Sequence, residues 1–230
     1  MKKPKIFIAC DTRNPAKIHK IISHSKNNKL TIGYKFGLEF LLTPGGRNFI
    51  SKLKNIEIFI DLKLNDIPNT CEAATYSLKD LKNISYLTVH TNGGYEMLKS
   101  IKKASNKINK KLKILGVTIL TSFSDASIKK IGHTKPIKDL VKKQAMLAKS
   151  AGLDGIVCSG YEANVLKKIC KGMEIITPGI RLQGDSAGDQ KRVMSPKDAY
   201  KNGATAIVIG RSITSGNIKN NIQKLIKSLN

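Results

Sequence analysis

Short apolar runs rich in β-branched residues alternate along the whole chain with longer amphipathic stretches, and this alternation is what most restricts the fold. Eight runs have the character of strands: Lys5–Cys10, Leu30–Lys35, Ile56–Lys63, Tyr86–His90, Leu112–Leu120, Gly155–Cys158, Glu174–Thr177 and Ala204–Gly210. Helical periodicity occupies most of the intervals, at Asn69–Leu81, Tyr95–Asn106, Ile137–Ala151, Ala163–Cys170, Pro196–Asn202 and Asn217–Leu229. Strands that alternate with helices predict a parallel sheet with crossover helices.

The 230 residues show no change of composition and no Pro/Gly-rich linker, so one domain is predicted over residues 1–230. Eight alternations at this length favour an α/β fold, the closed (β/α)8 TIM barrel. A doubly wound open sheet is the alternative. It is disfavoured because the first strand is not followed by the glycine-rich turn with which such sheets bind dinucleotides.

The formal net charge of +25 would ordinarily indicate nucleic-acid binding. However, only five of the 41 basic residues are arginines, aromatic residues make up 5% of the chain and tryptophan is absent. Base recognition relies on arginine forks and aromatic stacking. We therefore expect a lysine-rich solvated surface with no nucleic-acid partner. An RNA-binding protein is the alternative that the charge alone supports.

The chain has no apolar run long enough for a membrane helix, and its first apolar run is too short for the core of a signal peptide. Its four cysteines, Cys10, Cys71, Cys158 and Cys170, show no metal-type spacing. They are expected to be buried thiols in a protein of the reducing cytoplasm, without a membrane partner.

The third strand ends in a group of charged residues. Side chains alternate between the two faces of a strand, so Asp61 and Lys63 are predicted to point the same way. Asp66 follows the strand and is expected to bring a second carboxylate close to the same ammonium. Because charges are costly to gather in a partly dehydrated place, this group favours a chemical function. A solvated strand end with a chance salt bridge is the alternative.

TIM barrels carry their sites at the carboxyl ends of the strands. Polar residues near the ends of the other early strands are Asp11, Lys35, His90, Thr121 and Ser122. The last two strands run into Thr177-Pro178-Gly179-Ile180-Arg181 and Gly210-Arg211. This fold tends to hold phosphate at these two loops, and arginine forks match phosphate oxygens. We expect Arg181 and Arg211 to bind a phosphate; ordinary surface arginines are the alternative.

Gly184-Asp185-Ser186-Ala187-Gly188 matches the nucleophile-elbow pattern of serine hydrolases. That motif needs a strand-to-helix turn and a later histidine, whereas all four histidines precede it. The segment is better explained as a closing flap with Gly184 and Gly188 as hinges and Asp189-Gln190 at its end. The chain has no HExxH motif and no P-loop, and its scattered carboxylates form no evident magnesium site.

The segment from Asp61 to Thr70, DLKLNDIPNT, resembles the signature of the orotidine 5'-phosphate decarboxylase family. The resemblance covers nearly the whole chain. It continues in segments that follow the family's order: Ile8–Asp11, Tyr34–Phe40, Gly116–Ser122, Thr177–Arg181, Gly188–Arg192 and Val208–Arg211. The decapeptide is highly specific in combination with the later elements, although no single element would be.

The resemblance implies decarboxylation of orotidine 5'-phosphate to UMP in de novo pyrimidine biosynthesis, with no cofactor and no metal. The implied catalytic residues are Lys35, Asp61, Lys63 and Asp66, with Lys63 stabilising and protonating the carbanion at C6. The implied substrate-binding residues are Asp11, Lys35, Asp61, Ile67, Thr70, Thr121, Pro178, Arg181, Gln190, Gly210 and Arg211. Asp11 would bind the ribose, Thr121 or the adjacent Ser122 the pyrimidine, and the residues from Arg181 onwards the phosphate.

In the same family the residue at Asp66, with Ile67 and Thr70 nearby, reaches the site of the neighbouring subunit, which implies a homodimer with shared active sites. Two departures are visible. Asn65 stands where many bacterial relatives have histidine, and Thr91-Asn92 replaces smaller residues.

Rival functions remain open from the sequence. Keto-gulonate phosphate decarboxylases and hexulose phosphate synthases have a similar Asp-x-Lys-x-x-Asp run, but they use magnesium and lack the Pro-Asn-Thr continuation and the Gly-Asp-Gln loop. A catalytically inactive barrel that serves as an interaction scaffold is disfavoured by the intact set of charged residues.

Overall fold

Eight parallel strands form a closed barrel in the order β1 to β8, as shown by a computed structural model that describes residues 3–27, 29–186, 188 and 191–229. The strands are β1 (Lys5–Ala9), β2 (Thr31–Gly37), β3 (Glu57–Leu64), β4 (Ile84–His90), β5 (Lys113–Val117), β6 (Gly155–Val157), β7 (Glu174–Thr177) and β8 (Ala206–Ile209). Pairing of β1 with β8 closes the ring. The predicted (β/α)8 barrel is confirmed, and the doubly wound sheet is excluded.

Helices surround the barrel. They are α1 (Pro15–Ser25), α2 (Leu38–Leu41), α3 (Gly46–Lys52), α4 (Pro68–Tyr76), α5 (Gly94–Ile108), α6 (Asp125–Lys129), α7 (Ile137–Ser150), α8 (Gly160–Ile169), α9 (Pro196–Lys201), α10 (Arg211–Thr214) and α11 (Ile218–Leu229). The six helices predicted from periodicity correspond to α4, α5, α7, α8, α9 and α11. Four of those not predicted have only four to seven residues, too few for a periodic pattern.

Helix α1 is the exception, because it has 11 residues and begins with a recognisable signal. The Asn14 side chain accepts hydrogen bonds from the backbone N–H groups of Ala16 and Lys17, at 2.9 and 3.3 Å, and proline occupies the first turn. Both features are typical of a helix start.

The fifth strand is shorter than predicted. It ends at Val117, and Thr118 makes a last hydrogen bond to the carbonyl of Val157 at 3.1 Å. The chain then turns, with the Phe123 N–H bonded to the Leu120 carbonyl. The apolar residues Ile119 and Leu120 continue the strand pattern although the backbone has left the sheet. Thr121 and Ser122 therefore lie in a loop beyond the strand end.

Alternate strand residues fill the barrel interior. Phe7 contacts Phe59 and Tyr86 edge-on, with ring centroids 5.1 Å apart in both pairs. A Cβ at Gly33 would lie 2.6 Å from the Phe7 ring, so glycine is required there. Burying each of these rings contributes about 1.5–3 kcal/mol. The aromatic layer fills the middle of the barrel and leaves the carboxyl ends of the strands for polar residues.

The amino-terminal end of the barrel is closed by charged side chains. Lys5 contacts Glu57 at 2.8 Å and donates to the Tyr86 hydroxyl, and Lys113 forms an ion pair with Glu174. The Tyr86 hydroxyl donates to the Glu174 carboxylate at 3.0 Å. Burial and the charge of Glu174 raise the pKa of Tyr86. The hydroxyl therefore remains a donor, and this end of the barrel is structural.

All four cysteines are free and buried. Burial, followed by the charge of Asp11, raises the pKa of the Cys10 thiol to about 12. In the described part of the chain, no helix has both the length and the apolar character needed to cross a bilayer.

Candidate active site

A cavity of about 370 Å³ opens at the carboxyl end of the barrel. Nine of the residues predicted from the sequence line it: Asp11, Lys35, Asp61, Lys63, Thr121, Pro178, Arg181, Gly210 and Arg211. They come from strands that are distant in sequence and that the barrel brings to one rim. The volume lies in the range of small-molecule sites.

Four charged residues of alternating sign form a continuous chain along one wall of the cavity. The Lys35 ammonium lies 3.3 Å from Asp11 Oδ1 and 3.1 Å from Asp61 Oδ2, and the Lys63 ammonium lies 3.0 Å from Asp61 Oδ1. The Lys35 and Asp61 side chains are only 11% and 10% exposed, whereas that of Lys63 is 35% exposed. The two buried members thus hold the more accessible ammonium of Lys63 at the cavity.

Both buried members remain charged. Burial acts to raise the pKa of Asp61, but the charges of Lys35 and Lys63 outweigh it and hold the pKa below its usual value. Burial acts to lower the pKa of Lys35, but the charges of Asp61 and Asp11 outweigh it and raise the pKa. An opposite charge at these distances favours the ionised form.

Lys63 is placed by an irregularity in β3. The pairing of β3 with β4 passes from Ile60↔Leu87 to Leu64↔Val89, so three residues of β3 stand opposite one residue of β4. Within this bulge Lys63 has φ 52°, in the left-handed region, which costs a non-glycine residue roughly 1–2 kcal/mol. The residue opposite the bulge is Thr88. Its hydroxyl accepts from the Lys63 N–H at 3.0 Å and donates to Asp61 Oδ1 at 2.9 Å.

Sequence reasoning missed Thr88. In β4 it lies on the same face as Tyr86 and His90, because side chains alternate along a strand. The signal in the sequence was a polar residue among apolar neighbours.

His90 stands at the end of β4, as predicted, but outside the residues that line the cavity. Burial, followed by the charge of Lys63, lowers the pKa of His90.

The two arginines lie on the rim formed by the loops after β7 and β8. Arg181 donates to the carbonyls of Ser186 and Ile180, at 3.0 and 2.9 Å, which ties it to the predicted flap. A Cβ at Gly188 would lie 2.9 Å from the Arg211 guanidinium, and Gly188 has φ 62°. Glycine therefore lets the backbone pass directly against Arg211. Gly184, the other predicted hinge, has φ 86°.

Arg192 anchors the end of this loop and was not singled out from the sequence. Its guanidinium forms an ion pair with Glu162 and donates to the Ile119 carbonyl at 3.2 Å. The neighbouring Lys191 N–H donates to the Thr121 carbonyl at 3.3 Å. The loop after β7 is thereby attached to the loop after β5. Both Thr121 and Ser122 line the cavity, and Thr121 is the more buried.

Three predicted site residues lie elsewhere in this one chain. Asp66, Ile67 and Thr70 are exposed and do not line the cavity. Among the described residues Asp66 accepts from the Ile67 N–H at 2.7 Å and makes no ion pair with Lys63, so the expectation of a second carboxylate beside that ammonium is not met within the chain. The reason is that the backbone turns away at the start of α4. Gln190, and Asp189 before it, lie outside the described residues.

The second departure noted in the sequence, Thr91-Asn92, has clear contacts. The Thr91 hydroxyl donates to the Val117 carbonyl at 2.9 Å, and Asn92 accepts from the Gln144 side chain at 2.6 Å. A Cβ at Gly116 would come within 2.9 Å of the Thr91 methyl group, so the larger Thr91 is matched by glycine on the next strand. Within the described ranges, no group of three or more His, Cys, Asp and Glu side chains is arranged to hold a metal ion.

Comparison with known proteins decides which family uses this arrangement. The model of the Orotidine 5'-phosphate decarboxylase / HUMPS family matches residues 4–224. The chain belongs to this family.

Individual members of the orotidine 5'-phosphate decarboxylase / HUMPS family agree with the match. A protein of Wolbachia pipientis named orotidine 5'-phosphate decarboxylase is 40% identical over 229 residues, which cover 97% of this chain and 98% of that protein. One of Idiomarina loihiensis with the same name is 37% identical over 217 residues, covering 93% and 92%. The crystal structure of orotidine 5'-phosphate decarboxylase from Lactobacillus acidophilus superimposes with a TM-score of 0.83 at 32% identity and covers both chains completely. The family resemblance predicted from the sequence is confirmed.

Proposed function

We propose that the chain catalyses the decarboxylation of orotidine 5'-phosphate to UMP in de novo pyrimidine biosynthesis, with residues 1–230 forming one catalytic domain. The observation that carries the proposal is the row of ion-paired side chains on one wall of the cavity, whose rim also holds Arg181 and Arg211. The paired side chains are, in order, Asp11, Lys35, Asp61 and Lys63. Two relatives with this name match the chain over more than nine-tenths of its length.

The substrate is oriented by its ends. The phosphate binds to the guanidinium groups of Arg181 and Arg211 and approaches the backbone at Gly210, and Gln190 closes over it from the flap. The ribose hydroxyls bind to Asp11, and the pyrimidine lies against Thr121 and Pro178. Arginine forks suit phosphate oxygens, and carboxylates suit hydroxyl donors. This placement brings C6 of the ring to the charged wall.

The chemical step breaks the bond between C6 and the carboxylate carbon. Carbon dioxide leaves, and the bonding electron pair remains on C6, where the ring offers no efficient electron sink. The Lys63 ammonium stabilises this pair electrostatically and then transfers a proton to C6, which gives UMP and a neutral amine that solvent reprotonates. The reaction balances without a cofactor or a metal.

Asp61 and Lys35 act on Lys63 before the substrate arrives. Asp61 is ionised and keeps the Lys63 ammonium charged and oriented, while Lys35 compensates the second oxygen of Asp61. Preorganised charges of this kind need little rearrangement during the reaction. Asp61 also stands close to the leaving carboxylate. Two like charges about 4 Å apart repel by roughly 4 kcal/mol at an effective dielectric constant of about 20, which adds to the driving force.

The active enzyme is proposed to be a homodimer with shared sites. Ile67 is 66% exposed despite its apolar side chain, and Asp66 beside it is exposed as well. Leu38 and Leu42, on the α2 segment after β2, are 50% and 78% exposed. Exposed apolar residues next to an active-site rim favour a protein interface. In the dimer Asp66, Ile67 and Thr70 complete the site of the partner subunit, with Asp66 as the further acid of the network.

The four free, buried thiols support a location in the reducing cytoplasm. The excess of positive charge then serves to attract an anionic substrate rather than nucleic acid or a membrane.

The rival is a magnesium-dependent reaction on a sugar phosphate. Decarboxylation is measured as the loss of the ultraviolet absorbance of orotidine 5'-phosphate, with purified protein in excess EDTA. The proposal predicts full turnover with EDTA. Activity only on a sugar phosphate, and only with added magnesium, would replace the proposal by the rival.

A further inference from the structure

Thr88 is the one residue of β4 that stands opposite the three bulged residues of β3. It is 1% exposed and does not line the cavity, so it cannot touch a substrate. Its hydroxyl nevertheless contacts both partners of the ion pair proposed to carry the chemistry. A buried hydroxyl with both its donor and its acceptor function in use fixes the groups around it.

The acceptor function holds the backbone of Lys63. In a regular parallel ladder the Lys63 N–H would bond to a carbonyl of the neighbouring strand, but the bulge removes that partner. The Thr88 hydroxyl takes its place at 3.0 Å, and Lys63 has φ 52°. Since a non-glycine residue keeps this conformation only when its surroundings impose it, the hydrogen bond maintains the direction in which the lysine side chain leaves the strand.

The donor function holds the carboxylate of Asp61. Thr88 donates to Oδ1 at 2.9 Å, the same oxygen that lies 3.0 Å from the Lys63 ammonium, while Oδ2 lies 3.1 Å from Lys35. Each oxygen therefore has its own partners. The hydroxyl fixes the rotation of the carboxylate, and this rotation sets which oxygen faces Lys63.

We propose that Thr88 is a positioning residue for the decarboxylation: its hydroxyl joins the Lys63 backbone to the Asp61 carboxylate and so fixes the ammonium at the place where C6 is protonated. The role rests on the proposed function for its chemical consequence. Its geometric part, that the hydroxyl maintains the left-handed conformation of Lys63, is independent of the substrate.

The test compares Thr88→Val with Thr88→Ser. Valine keeps the shape but loses the hydroxyl, and serine keeps the hydroxyl but loses the methyl group. We expect Thr88→Val to lower kcat about ten- to hundred-fold, the usual effect of losing a hydrogen bond to a charged group, and to change the Kd for UMP less than about twofold. Thr88→Ser should restore kcat to within about threefold of wild type. A near-normal kcat in Thr88→Val overturns the proposal, and so does a kcat in Thr88→Ser as low as that of Thr88→Val.

The matched control is Thr205→Val. The Thr205 hydroxyl also serves two backbone groups, the N–H and carbonyl of Ile175 at 2.9 and 3.1 Å, but just before the start of β8, at the opposite end of the barrel. The Thr205→Val substitution should lower thermal stability and leave kcat unchanged. A matching fall of kcat in this control would show that Thr88 acts through stability alone and would overturn the proposal.

Two further measurements separate this proposal from the function. Wild-type protein that leaves orotidine 5'-phosphate unchanged would refute the function only; crystal structures of the variants would then decide the role of Thr88. The Lys63 backbone should leave the left-handed region in Thr88→Val and remain there in Thr88→Ser. An unchanged Lys63 backbone in Thr88→Val overturns the proposal. If Thr88→Val does not fold, Thr88→Cys takes its place, because a thiol is only a weak donor. It is expected to show the same fall in kcat, and the same limits on kcat and on the Kd for UMP apply to it.

Discussion

The Lys63 ammonium lies 3.0 Å from Asp61 although only Leu62 separates the two residues in the chain. In an ideal strand two such side chains point the same way, but their tips are not brought together. The bulge in β3 and the left-handed backbone of Lys63 close the gap. Lys35 then binds the other oxygen of Asp61 and leaves Lys63 as the more accessible cation.

Arg211 is expected to contribute mainly to affinity, because in the proposed function it binds the phosphate, far from C6. Arg211→Ala should raise KM about ten- to hundred-fold, which corresponds to the loss of charge-assisted hydrogen bonds, with a smaller fall in kcat. The matched control is Arg47→Ala, since Arg47 forms an exposed ion pair with Asp80 outside the cavity. Steady-state kinetics give both constants. An Arg211→Ala enzyme with normal KM would contradict the phosphate assignment.

Shared active sites predict complementation between two inactive variants. In a mixed dimer of Lys63→Ala and Asp66→Asn, one site receives both wild-type residues and the other receives neither. Equal mixing should therefore restore roughly a quarter of the wild-type activity. The subunits are mixed under mild denaturation and refolded, with each variant refolded alone as the control. If the refolded mixture is no more active than the separate variants, Asp66 does not serve the partner's site.

The lowered pKa of His90 predicts a specific dependence of the free energy of unfolding on pH. Burial and then the charge of Lys63 lower its pKa from 6.5, so the unfolded chain binds a proton there more readily than the folded protein. The His90 contribution to the free energy of unfolding is complete above about pH 6.5 and falls as the pH drops towards the folded pKa. The free energy of unfolding is measured with urea at pH 7.5 and at pH 5. Its fall between these two pH values should be smaller for His90→Gln than for wild type. An equal difference would mean that His90 titrates alike in both states.

The barrel and most of its rim were predictable because they depend on local patterns. Alternating apolar runs gave the strands. Asp11 and Arg211 lie two residues beyond the ends of β1 and β8, and Lys35 lies two residues before the end of β2. The family resemblance then supplied their expected roles. Helices as short as α2 and α10 escaped prediction because so few residues carry no periodicity.

What the sequence could not show depends on strand pairing and on neighbouring chains. The place of Thr88 follows from a bulge that no local pattern encodes, and the anchoring of Arg192 on the Ile119 carbonyl joins residues distant in the chain. Asp66 was expected beside Lys63 because the two are close in sequence. The turn into α4 instead directs it outwards, which is intelligible if it serves a second subunit.

The turnover of orotidine 5'-phosphate by Lys63→Ala, measured beside the Kd of this variant for UMP by calorimetry, tests the role of Lys63 directly. Lys102→Ala, which removes a half-buried ion pair with Asp154, is the matched control. In the proposed mechanism the ammonium supplies both the carbanion stabilisation and the proton. Lys63→Ala should therefore show no detectable decarboxylation while still binding UMP, and Lys102→Ala should turn over normally. Decarboxylation by Lys63→Ala at near the wild-type rate would contradict the account.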